Sequence, residues 1–124
     1  MHKMMKLINL TPHAIVLRDE AGKDHTIPPS GRVARVRTIP GVPENVPGIP
    51  VPVHGADQFG AVDGLPEQPE PDALFIVSLA VGQAMAATAH PLARQCVRPG
   101  TGPADGPIRE SGQIVAVTRL VRVV

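Results

Sequence analysis

Apolar residues in this chain come in short bursts of two to six, broken by Pro, Gly and charged positions, and several bursts alternate with polar residues at the spacing of two that marks a strand. Leu7 and Ile8 begin one such strand, which Pro12 bends or ends. Residues 14–18 and 24–27 flank Asp19-Glu20-Ala21-Gly22-Lys23, which reads as a hairpin loop with Gly22 able to take a positive φ. Pro28-Pro29-Ser30-Gly31 is a turn. Residues 32–39 follow as a strand, with Val33, Arg35, Arg37 and Ile39 on one face and Arg32, Ala34, Val36 and Thr38 on the other.

Prolines at positions 40, 43, 47, 50 and 52 exclude a helix or a central strand from residues 40–52. That segment reads as a long loop or extended arm, unable to build a ladder of its own, with residues 51–53 touching a sheet edge. Residues 59–62 are a short strand and 64–72 a second loop. Residues 73–79 form the most apolar run, short and β-branched, and predict a buried strand. Residues 80–89 are rich in Ala and are the one good helix candidate, weakened by Gly82 and closed by His90-Pro91. Residues 95–98 read as a small strand and 99–107 as a Gly/Pro loop. Residues 113–124 read as one long terminal strand, largely apolar on both faces, and so either central or covered by a partner.

These elements predict a mainly β fold: a small antiparallel barrel or sandwich with at most one short helix, in a single domain spanning residues 1–124. No internal repeat is present. Composition sharpens the picture in one respect. The only aromatic residues are Phe59 and Phe75, so the core must be built from Val, Ile, Leu, Ala and Met. A small aliphatic core, together with the terminal strand, predicts a homo-oligomer.

The net charge of +1 does not point to a nucleic-acid polymer or a membrane surface. Its distribution says more. Residues 1–37 hold seven Lys/Arg and three Asp/Glu, residues 38–75 hold none and six, and residues 76–124 hold five and two. An acidic, Pro-rich middle therefore separates two basic ends. The lone Cys96 excludes an intrachain disulfide and fits a reducing compartment. The basic start is followed by no apolar stretch of signal-peptide length, and no segment reaches the roughly 20 apolar residues of a membrane span, so the expectation is a soluble cytoplasmic protein.

Little in the chain resembles catalytic machinery. His2, His13, His25, His54 and His90 show no zinc-ligand spacing, and Cys96 has no Cys neighbour. Ser78 follows a strand but lacks the flanking glycines of a nucleophile elbow, and reads as a buried hydroxyl bonded to backbone. Asp105 and Glu110 show no pairing for acid/base work. No enzyme activity, metal or cofactor is expected. The segment from Ser30 to Arg37 has more to offer. A Ser-Gly turn exposes backbone N–H groups, and the arginines beyond it present planar forks, which together can hold a phosphate. The alternative is a plain turn whose arginines pair with the acidic middle.

Several boxes occur in a fixed order: Asn9-Leu10-Thr11-Pro12-His13, Pro29-Ser30-Gly31 with Ala34-Arg35, Gly48-Ile49-Pro50-Val51, residues 59–66, Phe75-Ile76-Val77-Ser78 and residues 108–117. In this the chain resembles small proteins of bacteriophages, prophages and actinobacteria that open with an Asn-Leu-Thr-Pro-His box. It departs from their pattern at Glu110, where they tend to have Asp, at Ala116-Val117 in place of Gly-Cys, at Phe75 in place of Tyr, and in an elaborated stretch at residues 40–47. The resemblance carries no established activity. Its phage context implies a counter-defence, host-interaction or virion-accessory role. In size and β-rich character the chain is similar to oligomeric phage proteins that sequester cyclic nucleotide immune signals.

The resulting expectation is a non-catalytic, oligomeric binding protein for an anionic small molecule, such as a nucleotide signal, in the host cytoplasm. Arg32, Arg35 and Arg109 would contact phosphate, Ser30 and Gly31 would supply donors, and Phe59 or Phe75 would stack on a base. Asn9 and His13 would either line the pocket or form a structural corner, in which Thr11 and Asn9 bond local backbone and Pro12 fixes the bend. The competing expectation is a structural or protein-interaction module that uses its acidic Pro-rich segment.

Overall fold

The apolar run at residues 73–79 supplies the central strand of the molecule. The computed structural model describes residues 4–124; His2, counted above among the histidines, lies outside the described residues. In chain order the strands are β1 (Lys6–Asn9), β2 (Ile15–Arg18), β3 (Asp24–Ile27), β4 (Arg35–Ile39), β5 (Pro43–Glu44), β6 (Val53–His54), β7 (Gln58–Asp63) and β8 (Ala73–Ile76). Helix α1 (Leu79–Ala87) follows, then β9 (Cys96–Pro99), β10 (Ile108–Glu110), β11 (Gln113–Ala116) and β12 (Leu120–Arg122). The β-rich class with one short helix is as the sequence predicts.

No barrel closes. The largest sheet has the order β1-β8-β9-β12, and four two-stranded ribbons surround it: β2-β3, β4-β7, β5-β6 and β10-β11. The ribbons are antiparallel, but within the main sheet β8 runs parallel to both β1 and β9, and only β12 is antiparallel. Parallel strands need a crossover, and α1 provides it between β8 and β9. A strand covered on both faces reads as a continuous apolar run. Ala73, Phe75, Ile76 and Val77 are all fully buried.

Phe75 sits with Leu10, Val77, Val81, Met85, Leu92 and Cys96 in one core, with Ile8, Val36, Val62 and Val123 packed against it. Each large side chain there stabilises the fold by about 1.5–3 kcal/mol through burial. α1 turns Val81, Gly82, Ala84 and Met85 inward, and packs on β4, β7 and β9. Gly82 has a packing reason: a Cβ there would meet a Val123 methyl at 3.1 Å.

The terminal stretch is not one strand. Val117 leaves the β10-β11 ribbon and bonds to β2: its N–H donates to the Val16 carbonyl, and Arg18 N–H donates to the Val117 carbonyl, both at 2.9 Å. The chain turns at Thr118 and Arg119 and re-enters the main sheet as β12. Residues 113–124 are apolar on both faces because their two halves serve different sheets. The argument for an oligomer from a doubly apolar terminal strand therefore does not hold. Residues 40–52 contain no helix, as their prolines require, but they do join a ladder: Pro43 opposes His54 and Glu44 opposes Val53, so the segment folds back on itself.

Candidate functional site

The Asn-Leu-Thr-Pro-His box is a corner that ties β1 to three other segments. Asn9 ends β1 and is 1% exposed. Its Nδ2 donates to the carbonyls of His13 (2.8 Å) and Ile27 (3.1 Å), while its Oδ1 accepts from Thr11 N–H (2.9 Å) and Thr11 Oγ1 (2.7 Å). The Asn9 carbonyl accepts from Ser30 N–H at 3.0 Å, and the Leu10 carbonyl from Ala34 N–H at 2.9 Å. The box thereby positions the Ser30 turn and the start of β4. The structural-corner alternative describes Asn9, whose polar atoms are all used internally. His13 contributes its carbonyl to the corner, and its side chain is exposed.

Beside this corner lies an open groove of about 310 Å³, lined by Thr11, Pro12, Val33–Val36, Ser78, Ala80 and Val81. Two of its polar groups are well placed. Ser78 caps α1 by accepting from Val81 N–H at 3.2 Å. It is exposed, which corrects the expectation of a buried hydroxyl. The first-turn amides of Leu79 and Ala80 have no intrahelical partner, and the helix dipole places partial positive charge there. Arg35 is exposed at the first position of β4. It stands opposite Asp63 in the β4-β7 register, yet among the described residues it has no ion pair. Arg32 and Arg37 are likewise exposed and without an ion pair among the described residues. Among the described residues the acidic middle thus does not pair with these arginines.

The other predicted residues are scattered. Ser30 Oγ bonds Arg32 N–H and faces the Arg32 carbonyl, both at 3.3 Å, while Gly31 takes φ +95°; both residues form the turn and neither lines the groove. Arg109 lies on the separate β10-β11 ribbon, its Nη1 donating to the Gly112 carbonyl at 3.3 Å. Phe59 is partly exposed on β7, away from the groove lining. Phe75 cannot stack on a base: it is 0% exposed, at the centre of the core. The sequence reading missed that Ser78 and Arg35 line one groove. A Ser directly before the Ala-rich run is a capping signal, but nothing local announces that β4 passes beside the helix start.

A second cavity of about 310 Å³ lies against Leu17, Arg18, Asp19, His25 and residues 117–120. Its charges are largely satisfied. Arg18 Nε donates to Asp24 Oδ1 at 2.7 Å, and the bond holds the Arg18 pKa above and the Asp24 pKa below their usual values. Asp19 Oδ2 lies 2.8 Å from His25 Nε2, and its Oδ1 accepts from Lys23 N–H and Ala21 N–H. The His25 bond, followed by the Lys23 amide, pulls the Asp19 carboxyl below its usual pKa. Among the described residues no three His, Cys, Asp or Glu side chains converge to hold a metal, and no helix is long and apolar enough to cross a membrane.

Comparison of the chain with protein-family models, with curated proteins and with solved structures found no match.

Proposed function

We propose that this protein is a non-catalytic binding protein that holds an anionic small molecule, a phosphate-bearing nucleotide signal, in the groove between Arg35 and the start of α1. The observation that carries this reading is Arg35: an exposed guanidinium lining a concave surface, with no ion-pair partner among the described residues. A guanidinium fork binds phosphate through two parallel hydrogen bonds. The first-turn amides of α1 and the Ser78 hydroxyl supply further groups on the other side. The resemblance to phage proteins supports the kind of ligand, an immune signal that a phage gains by sequestering. Arg32 and the Ser30-Gly31 turn flank the groove without lining it, and Arg109 and Phe75 drop out of the proposed contact set.

A second reading, a protein-interaction module, is favoured by the exposed apolar side chains of the acidic Pro-rich segment. A thermal-shift screen with cyclic dinucleotides, cyclic ADP-ribose isomers, linear nucleotides and inorganic phosphate separates the two. A binding groove raises the melting temperature in proportion to ligand occupancy. A melting temperature indifferent to every anionic nucleotide in the panel would leave the interaction-module reading in its place.

A further inference from the structure

The exposed apolar surface is concentrated in one place. Of eleven large hydrophobic side chains exposed among the described residues, six (Ile39, Val42, Ile49, Val51, Val53 and Phe59) fall within residues 39–59. Between residues 40 and 57 only Gly41 and Val46 are even partly withdrawn from solvent.

This hairpin is nevertheless built. β5 and β6 pair with each other, Gly55 N–H donates to the Val42 carbonyl at 3.0 Å, and Gly41 N–H donates to Asp57 Oδ1 at 3.0 Å. The two glycines are in such close contact that a Cβ on Gly41 would lie 1.8 Å from the Gly55 carbonyl oxygen. Part of the hairpin's backbone is thus paired internally, while its apolar side chains remain exposed. Exposed apolar side chains gathered within one stretch of 21 residues point to an interaction site.

Charge identifies the occupant. The hairpin carries Glu44 and Asp57 and no cation, because residues 38–75 contain no Lys or Arg. Immediately before it, Arg32, Arg35 and Arg37 are exposed and without ion pairs among the described residues. Two hairpins packed on each other would bring like charges together. A hairpin packed on the β4 arginines of another copy pairs opposite charges, and the arginine stems offer apolar surface to the valines. Because the hairpin starts where β4 ends, a two-fold axis lets each hairpin reach the other copy's β4 and closes the assembly. Size is also adequate. The chain exposes 8585 Å², and a standard interface takes about 800 Å² from each partner; the hairpin is 21 of 124 residues and exposed nearly throughout.

We propose that residues 39–59 dock beside Arg37 on β4 of a second copy of this chain, with Glu44 of each copy against Arg37 of the other. This inference does not rest on the anion-binding reading, since it is tested on the protein without ligand.

The test is sedimentation equilibrium of the full chain, with far-UV circular dichroism as a check on folding. The wild type is expected to be a dimer. The pair Val42→Ser and Val51→Ser, both at exposed positions, is expected to give a folded monomer, whereas Val124→Ser, exposed outside the hairpin, leaves the dimer intact. Glu44→Arg and Arg37→Glu alone should each weaken dimerisation about tenfold, and combining them should restore most of it. A monomeric wild type at about 100 µM, as a hairpin that captures some other protein would give, overturns the proposal. So does a dimer that survives both valine substitutions, or charge changes that fail to compensate.

Discussion

Thr11 donates twice to one atom of Asn9: its backbone N–H and its Oγ1 both reach Asn9 Oδ1, at 2.9 and 2.7 Å. With Asn9 Nδ2 bonded to two carbonyls, a single buried amide satisfies partners on three sides. Asn9→Ala takes these bonds from the buried Thr11 N–H and the Ile27 carbonyl, and leaves the His13 carbonyl only the Thr11 hydroxyl. The expected loss is about 3 kcal/mol, seen as a fall in melting temperature of about 10 °C. Asn9→Asp should be no better, because it keeps the acceptor but loses both donors. A melting temperature unchanged by Asn9→Ala would contradict the role of this corner.

Ser78 caps α1 through Val81 N–H. Ser78→Ala should cost about 1 kcal/mol in chemical denaturation, and Ser78→Asp should keep the cap. The two variants separate capping from binding. Asp at this position preserves stability but places a negative charge in the groove, so it should weaken anion binding more than Ala does. Equal ligand responses from the two variants would place the ligand elsewhere.

Much of the local structure was legible from turn chemistry. Asp19 to Lys23, with Gly22 at φ +83°, sits between β2 and β3 as predicted, and the Ser30-Gly31 turn is where its residues place it. Tertiary placement was not legible. The run at residues 73–79 carries the signature of a parallel strand buried on both faces, but its partners, β1 and β9, are remote in sequence or lie across a helix, and no local signal names them. Residues 113–124 alternate without interruption, so the break at Thr118 and Arg119 is invisible until Val117 is seen bonded to β2. For the site, Arg35, expected from sequence as a phosphate contact, lines a groove together with Thr11 and Pro12. Phe75 lies in the core instead of at the site, because an aromatic in an aromatic-poor chain reads equally well as a stacking platform or as the largest piece of the core.

Cys96 is fully buried between β8 and β12, and burial pushes its thiol pKa up to about 11. The thiolate is therefore scarce at neutral pH as well as enclosed. Aromatic disulfide reagents should leave the native protein unmodified and label one thiol per chain in denaturant. Rapid labelling under native conditions would show that β9 is not covered as described.

Asp19 should shape the acid limb of stability. Its folded-state pKa lies below the unfolded value, so its contribution is present above the usual aspartate pKa and is lost as pH falls through the folded value. Asp19→Asn should therefore destabilise at neutral pH and converge with the wild type in acid. The site is exposed, so the effect should be small and should shrink with added salt. Parallel pH profiles for the two proteins at low salt would mean that the His25 and Lys23 bonds contribute nothing.

Arg35→Ala tests anion binding at the groove most directly, measured as melting temperature with and without the nucleotide that stabilises the wild type. An exposed arginine with no ion pair among the described residues contributes little to folding, so the unliganded variant should melt within a few degrees of the wild type. Its ligand-induced shift should vanish, corresponding to a loss of affinity of about thirtyfold or more, while Arg37→Ala, outside the groove lining, should reduce the shift less. A variant that melts many degrees lower yet responds fully to ligand would make Arg35 a structural residue and contradict binding at this groove.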